Sequence, residues 1–381
     1  MIGSDWKSNI KLNAKNLIGW RTDRKIIVFS VDDYGNVRLD SKEARDNLDT
    51  NNITTKNRFD TYDTLETRED LEILFDVLSS VEDMNGRSAV FTPYAVPCNI
   101  DFERMREDGN QEYIYELLPQ TFQKKSAADP ENYADAWPLW NQGMDEQLWA
   151  PQFHGREHLN VKVLEEKLRQ QDPELLVQLQ NRSFTRISNS GYKTVSPLAA
   201  FDFWDIEENK RFTGIIEDGL NKFEKVFGYR AQNFTPPAYR AHRVLYNTLK
   251  ENGIRFVDTA LIANQHQGKG RYKKQFNYTG KTDNGLCLMV RNVVFEPTDD
   301  RGVDWVAYTI KQIEAAFRWN RPAIISSHRV NFCGHIDANN RELGISALKK
   351  LLQQITARWP DVEFMSASEL GKLVKPEQGR F

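Results

Sequence analysis

The sequence predicts an α/β fold, because short apolar runs alternate with amphipathic helices along most of the chain. The runs contain many β-branched and aromatic residues and are apolar throughout, as expected for strands buried on both faces of a parallel sheet. A closed barrel and an open doubly wound sheet both fit this alternation. The predicted strands cover residues 25–31, 88–92, 148–153, 231–235, 255–257, 287–294, 323–327 and 362–365.

The helices between these strands are predicted from apolar side chains that recur every three or four residues. One helix is expected to begin at Thr67, where Asp70 three residues later provides an acidic variant of the capping box. Another is expected to end at Gly228, since glycine commonly terminates helices. We interpret the apolar stripes of these helices as core packing.

One domain is expected to cover residues 25–381, preceded by an N-terminal extension of residues 1–24. Two long polar stretches, residues 101–147 and 181–210, interrupt the alternation of strands and helices. We interpret them as insertions at one end of a barrel rather than as separate domains.

Composition excludes some partners. The 381 residues carry a formal net charge of -3 and give a pI near 6.2, so no general attraction to a phosphate backbone is expected and nucleic acid is not a favoured partner. Cys98, Cys287 and Cys333 lie far apart, which favours reduced thiols in a cytoplasmic protein. We see no signal peptide, and the apolar runs are too short for a membrane span.

Two adjacent carboxylates, Asp32 and Asp33, directly follow the first predicted strand. Neighbouring negative charges repel each other, so the pair requires relief by a cation or by hydrogen bonds. A simple turn is the alternative, since Asp and the following Gly35 both favour turns.

His154 and His158 are separated by three residues, in the sequence HGREH. On a helix or a helical turn this spacing places both side chains on one face, with Cβ atoms about 5–6 Å apart. Zinc and similar ions accept imidazole and carboxylate ligands, so an Asp from the first strand would complete a three-ligand site. A solvent-exposed pair of histidines is the alternative.

Other polar features also follow predicted strands. His328 ends the run AIISSH, Asp258 ends IRFVD, and the pair Pro236-Pro237 follows the strand at 231–235. Catalytic groups of barrel enzymes gather at the carboxyl ends of the strands, where the loops converge. The recurrence of these features at strand ends therefore indicates one shared site.

In this order, the segments VFSVDDYG, HGREH, FTPPAY and AIISSH resemble the motifs of the NodB-like polysaccharide deacetylases, over about residues 25–370. The resemblance implies an irregular (β/α) barrel of seven or eight strands. It also implies that Asp32 is the catalytic base and that Asp33, His154 and His158 bind the metal. In the same pattern His328 is the catalytic acid.

The middle motifs depart from that family. The family has an Arg before its Pro-Tyr turn, whereas this chain has Thr235 there and an additional Ala238. Arg240 and Arg243 are candidates to replace the missing Arg.

Substrate contacts are expected from the same region. The resemblance makes Pro237, Tyr239, Asp258 and Arg240 candidates for contacting the substrate or the developing oxyanion. Asp258 is what remains of the family's Asp-x-x-Asp-Trp motif, which here has no Trp.

The implied activity is hydrolysis of a carbon-nitrogen bond other than a peptide bond. The enzyme would remove an acetyl group, expected to be N-acetyl, from a polymer, an oligosaccharide or a sugar precursor. Zn²⁺ is the favoured cofactor, with Co²⁺ and Ni²⁺ as alternatives. Aromatic residues crowd the first insertion and suit stacking on a sugar ring, but we favour the alternative that they pack the insertion's own small core; they are Trp137, Trp140, Trp149 and Tyr133.

Two other functions fit parts of the sequence. HGREH also matches the H-x-x-E-H pattern of inverted zinc peptidases, in which Glu157 would be the general base. That function leaves the Asp pair and His328 unexplained. The altered middle motif suggests the second alternative, a barrel that binds carbohydrate without catalysis.

Overall fold

The computed structural model describes residues 12–54 and 56–376. In this part of the chain the strands are β1 (Lys25–Tyr34), β2 (Phe91–Ala95), β3 (Cys98–Ile100), β4 (Tyr115–Leu117), β5 (Gln152–Phe153), β6 (Asn233–Phe234), β7 (Phe256–Thr259), β8 (Ile262–His266), β9 (Tyr272–Phe276), β10 (Thr282–Asp283), β11 (Leu286–Val290), β12 (Val293–Val294), β13 (Ala323–His328) and β14 (Val362–Phe364).

The helices of the same residues surround the main sheet. They are α1 (Lys42–Thr50), α2 (Phe59–Tyr62), α3 (Arg68–Ser79), α4 (Phe102–Glu107), α5 (Leu118–Ala128), α6 (Pro130–Tyr133), α7 (Ala136–Asp145), α8 (Val161–Arg169), α9 (Pro173–Gln180), α10 (Asn209–Phe227), α11 (Tyr246–Glu251), α12 (Trp305–Arg318), α13 (Ala338–Arg358) and α14 (Ala367–Val374). Short 3₁₀ turns lie at Ile206–Glu208, Pro237–Tyr239, Arg243–Leu245 and Arg329–Phe332.

A curled, mostly parallel sheet positions the candidate site. Its strands follow the order β10-β11-β7-β6-β5-β2-β1-β13-β12, and β14 pairs with the first residues of β1. Only β10 and β11 pair in antiparallel fashion within this sheet. Each of the eight predicted segments overlaps one of its strands, which confirms the α/β class.

The predicted segment at 287–294 contains two strands rather than one. Its first part, β11, pairs with β7, and its second part, β12, pairs with β13. Only Arg291 and Asn292 separate these two strands, so a single extended segment joins distant parts of the curled sheet. Together with β10, this division gives ten strands where seven or eight were predicted.

Several local predictions are confirmed. Thr67 caps α3, and its side chain and that of Asp70 form the reciprocal hydrogen bonds of a capping box. Gly228 terminates α10 with a φ of 79°, a left-handed conformation that glycine adopts without steric cost.

Aromatic side chains in and next to residues 101–147 pack against the rest of the chain. Tyr133, Trp140 and Trp149 are buried, and Trp137 contacts both Trp140 and Phe227. These rings therefore pack in the main hydrophobic core of the chain, so the packing interpretation is confirmed, but a separate small core of the insertion is not what they form.

The residues that precede β1 are tied to the rest of the chain. Arg321 donates hydrogen bonds to the carbonyl oxygens of Asn16, Leu17 and Gly19, and the backbone N–H of Trp20 donates to Thr279. The first eleven residues of the expected extension lie outside the described residues. Among those described, no helix has the length and apolar character that a membrane crossing requires.

Candidate active site

An irregularity at the end of β1 determines how the two adjacent carboxylates are presented. The pairing of β1 with β2 shifts between Val31 and Tyr34, and Asp33 has a φ of 77°. Side chains of a regular strand alternate between its two faces, and a bulge changes that alternation. Asp32 keeps its place in the ladder opposite His328, whereas Asp33 faces two histidines of another loop.

Asp33, His154 and His158 lie together. The Asp33 Oδ1 atom is 3.3 Å from His154 Nε2 and 3.1 Å from His158 Nε2, and the three candidate ligand atoms all lie within 4.8 Å of one another. Burial raises the pKa of Asp33, but hydrogen bonds with the two histidines outweigh that effect and hold the pKa well below its usual value. A shared cation site thus has both the distances and the ligand types it needs.

The segment that carries the two histidines is not helical. Residues 154–160 form a bent loop after β5, with Gly155 at a φ of 108°. The imidazole rings nevertheless lie 5.2 Å apart between centroids. The expectation of a helical turn is therefore wrong, although the loop brings the two rings equally close.

The hydrogen bonds of His154 support a cation in this position. His154 Nδ1 lies 2.7 Å from the carbonyl oxygen of Thr235, which can only accept, so Nδ1 carries a proton. In the neutral ring Nε2 is then an acceptor, and it faces the acceptor oxygen of Asp33. Two facing acceptors need a proton or a cation between them, and the backbone contact is of the kind that orients metal-binding imidazoles.

Arg291 holds the other carboxylate of the pair. Its Nη1 and Nη2 atoms donate to the two oxygens of Asp32 at 2.7 and 2.8 Å. Its Nε atom donates to Asp258 at 2.7 Å, and Nη2 also donates to the hydroxyl of Thr235. The guanidinium is buried between the rings of Tyr94 and Tyr239, and its two carboxylate partners raise its pKa despite the cost of burial.

Arg291, and not the sequence candidates Arg240 and Arg243, binds Asp32. Arg240 instead binds Asp202, and Arg243 binds Asp283. Position after a predicted strand was the signal for the other polar residues, but it did not reveal Arg291, because this residue lies inside the predicted segment at 287–294.

His328 is paired with Glu296, a residue that the sequence reasoning missed. Its Nδ1 atom lies 2.7 Å from Glu296 Oε1, and Glu296 also accepts from Arg58 and Asn331. Burial lowers the pKa of His328, but the charge and hydrogen bond of Glu296 outweigh burial and raise the pKa to about 9. Glu296 follows β12 closely, so its position after a strand was again the available signal.

The turn after β6 has an unusual backbone. Ala238 and Tyr239 have φ values of 56° and 54°, left-handed conformations that cost non-glycine residues about 1–3 kcal/mol. The N–H of Tyr239 donates to the carbonyl of Pro236. Pro237 is the first residue of the 3₁₀ turn that this hydrogen bond closes.

Glu157 does not share the cation site with the histidines that flank it. Both of its oxygens accept hydrogen bonds from Arg156, which also binds Asp218. Burial raises the pKa of Glu157 although Arg156 opposes the change. Its charge is thus already neutralised by a protein side chain.

A second group of carboxylates, Asp101, Glu103 and Glu116, also lies close enough together to hold an ion. The Lys124 ammonium contacts all three carboxylates. That lysine supplies the positive charge, so the group is explained as an ion-pair cluster.

No protein-family model matches the sequence, and no curated protein matches it. Solved structures are similar at low identity. A probable polysaccharide deacetylase from Pseudomonas aeruginosa PAO1 has a TM-score of 0.46 and 10% identity, over 93% of this chain and 93% of that chain. The α-amylase AmyC from Thermotoga maritima has a TM-score of 0.44 and 12% identity, over 92% of this chain and 74% of that chain.

A 4-alpha-glucanotransferase from Thermococcus litoralis has a TM-score of 0.43 and 10% identity. The match covers 91% of this chain but 40% of the glucanotransferase, so this chain spans less than half of that enzyme. These similarities concern the fold alone, and the chemistry must be argued from the side chains.

Proposed function

We propose that the chain is a metal-dependent hydrolase that removes an acetyl group, N-acetyl in the first instance, from a carbohydrate. The proposal depends mainly on one observation, the convergence of Asp33, His154 and His158 within 4.8 Å. These residues would hold a divalent cation, with zinc favoured by two imidazoles and one carboxylate and with cobalt or nickel as alternatives. When bound, such a cation supplies Lewis-acid activation of water and of the acetyl carbonyl.

Asp32 is suited to be the general base of this reaction. The bidentate contact with Arg291 orients its carboxylate. Asp32 accepts a proton from the water that attacks the acetyl carbon. The guanidinium is shared with Asp258, so Asp258 acts on the base through Arg291.

His328 is suited to be the general acid. Its Glu296 partner keeps the imidazole protonated at neutral pH, and its Cα is the ladder partner of Asp32. The proton passes from His328 to the amine nitrogen as the carbon-nitrogen bond breaks. Acetate and the free amino sugar are the products.

The substrate is expected to lie beside the turn at residues 236–240. Tyr239, Arg240 and Asp258 line a cavity there, together with Pro236. Pro237 shapes this turn. The cavity is only about 40 Å³, too small for a sugar ring, so we assign the side chains of the turn, rather than the interior of the cavity, to carbohydrate contact.

The test combines metal analysis with an acetate assay. Purified protein loaded with zinc, cobalt or nickel is incubated with chitin oligosaccharides, acetylated xylan and acetylated nucleotide sugars, and free acetate is measured. We expect acetate from at least one substrate. Asp33→Asn and His154→Ala should lose both metal and activity, whereas Asp32→Asn should keep the metal and lose activity.

Glu157→Gln is the matched control for the peptidase alternative. Under the deacetylase proposal this variant keeps its activity apart from any loss of folded protein, because Glu157 contacts Arg156. Full activity in Asp32→Asn together with loss in Glu157→Gln would reject the proposed mechanism. Carbohydrate binding without acetate release from any substrate would favour a non-catalytic barrel.

A further inference from the structure

Strands β8 and β9 form a two-stranded hairpin that directly follows β7 in the chain. This hairpin does not pair with the main sheet. It begins four residues after Asp258, the carboxylate that shares Arg291 with Asp32. The hairpin is therefore anchored at the edge of the candidate active site.

The hairpin region is strongly basic, although the whole chain has a net charge of -3. Between Asp258 and Asp283 the sequence contains no Asp or Glu, and its basic residues are Lys269, Arg271, Lys273, Lys274 and Lys281. A local excess of one sign in a protein of the opposite net sign attracts ligands of opposite charge.

The central cations of this region are available for a ligand. Arg271, Lys273 and Lys274 are exposed, and none of them forms an ion pair with a described residue. Lys269 lies 3.9 Å from Asp205, at the outer limit of an ion pair. Most of the positive charge is thus uncompensated by protein.

Exposed apolar side chains accompany these cations. Ile262 and Phe276 are cross-strand partners with exposed fractions of 57% and 47%, and Tyr272 is 45% exposed. The apolar face of a sugar ring packs well on such side chains, while its charged groups reach the neighbouring cations.

A small cavity of about 40 Å³ lies between the hairpin and the residues beside the candidate active site. Ala263, Gln265 and Gln275 line it from the hairpin, and Arg240 and Asp258 line it from the barrel. These polar groups are able to bind sugar hydroxyls or a carboxylate. The hairpin and Asp258, the partner of Arg291, therefore line the same small polar cavity.

We propose that the hairpin is a docking arm for an anionic carbohydrate chain, one in which acetylated units alternate with or lie near negatively charged units. The inference rests on the proposed function and specifies its substrate class. The cations hold the charged units, the exposed apolar side chains contact the sugar faces, and an acetylated unit of the docked chain lies beside the candidate active site.

Two oligosaccharides of equal length test the proposal. Hyaluronan oligosaccharide carries N-acetylglucosamine and carboxylates, whereas chitin oligosaccharide carries N-acetylglucosamine alone. Binding of each fluorescently labelled chain to the full-length protein is measured by anisotropy at low and at physiological ionic strength. We expect tighter binding of hyaluronan, and we expect this advantage to shrink as salt screens the exposed charges.

The variant combines Arg271→Gln, Lys273→Gln and Lys274→Gln. It should bind hyaluronan roughly tenfold more weakly, since each exposed ion pair contributes about 0.5 kcal/mol, and bind chitin unchanged. The matched control replaces Lys311, Lys349 and Lys350 by Gln, which removes the same charge from exposed positions on α12 and α13. Circular dichroism establishes that both variants are folded.

Equal binding of the two oligosaccharides, or equal weakening in both variants, would overturn the proposal. Tighter binding of a single-stranded oligonucleotide of matched charge would overturn it in favour of a nucleic-acid surface. Binding is measured separately from acetate release, so the deacetylase proposal and the docking-arm proposal can be rejected independently of each other. Charge-dependent hyaluronan binding without acetate release rejects the deacetylase alone, and acetate release without charge-dependent binding rejects the docking arm alone.

Discussion

Arg291 lies between two buried carboxylates, Asp32 and Asp258, and contacts both. Replacing it with Met would leave two carboxylates in a buried site without their shared cation. Loss of one partner of a buried ion pair typically costs about 3–5 kcal/mol. We therefore expect Arg291→Met to lower the free energy of unfolding in urea by an amount in that range and to abolish acetate release.

The variant Arg291→Lys distinguishes the effect of the guanidinium's geometry on activity from the effect of its positive charge on stability. A lysine restores one positive charge but cannot form the two parallel bonds to Asp32 while also bonding Asp258. Most of the stability should return, whereas activity should remain low and bound metal should stay normal. Wild-type activity in Arg291→Lys would show that orientation of Asp32 is unimportant.

The pH dependence of His328 gives a second prediction. The wild-type pKa of about 9 lies above the ordinary value of 6.5, because the charge and hydrogen bond of Glu296 outweigh burial. The protonated imidazole thus stabilises the fold fully below about pH 6.5, and this stabilisation is lost as the pH rises through about 9.

Glu296→Gln removes the charge and should lower the pKa of His328 from about 9, although Asp33 and Asp32 still raise it. Histidine NMR titration of the metal-free protein measures this pKa directly. His335 provides an internal reference, because its contacts are with Tyr133 and Asp129 and its titration should not move. An unchanged His328 titration in Glu296→Gln would contradict the assigned pair.

At the level of secondary structure elements, close packing of α13 against the 3₁₀ turn after His328 supports the site. A Cβ added at Gly344 would lie 1.7 Å from the carbonyl oxygen of Asn331, whose side chain binds Glu296. Gly344→Ala must displace the turn or the helix, so we expect a loss of about 3 kcal/mol in unfolding free energy. The folded fraction should also show reduced activity, because Glu296 positions His328.

Gly214→Ala in α10 is the matched control. Gly214 is exposed in a helix, and an added Cβ would meet no atom within 4 Å. Alanine has the higher helix propensity, so this variant should be more stable by about 0.5–1 kcal/mol. Chemical denaturation of both variants gives the comparison, and equal destabilisation would contradict the packing argument.

The elements also show how far the sequence was informative. Strand positions and capping signals depend on local patterns, so β1, the capping box at Thr67 and the end of α10 at Gly228 were predictable. The loop conformation of residues 154–160 was not, because the histidine spacing alone suggested a helical turn. The partners Arg291 and Glu296 were missed because ion pairs between residues distant in sequence require knowledge of which strands are neighbours.

Across the whole molecule, the candidate ligands come from parts of the chain that are far apart in sequence. Asp33 lies in β1, next to its last residue, and His154 and His158 follow β5, with β2 between these strands in the sheet. A cation that joins them would therefore bind the folded chain and not the unfolded one. Ligand binding of this type stabilises the native state by mass action.

We expect zinc to raise the thermal unfolding temperature of metal-free protein. At a free zinc concentration one hundred times the dissociation constant, the stabilisation should be about 2.7 kcal/mol. Differential scanning calorimetry over a series of zinc concentrations measures this shift. Asp33→Asn should show little or no shift, since an amide replaces the carboxylate ligand. The same shift in this variant and in the wild type would place zinc elsewhere, with Asp101, Glu103 and Glu116 as the next site to examine.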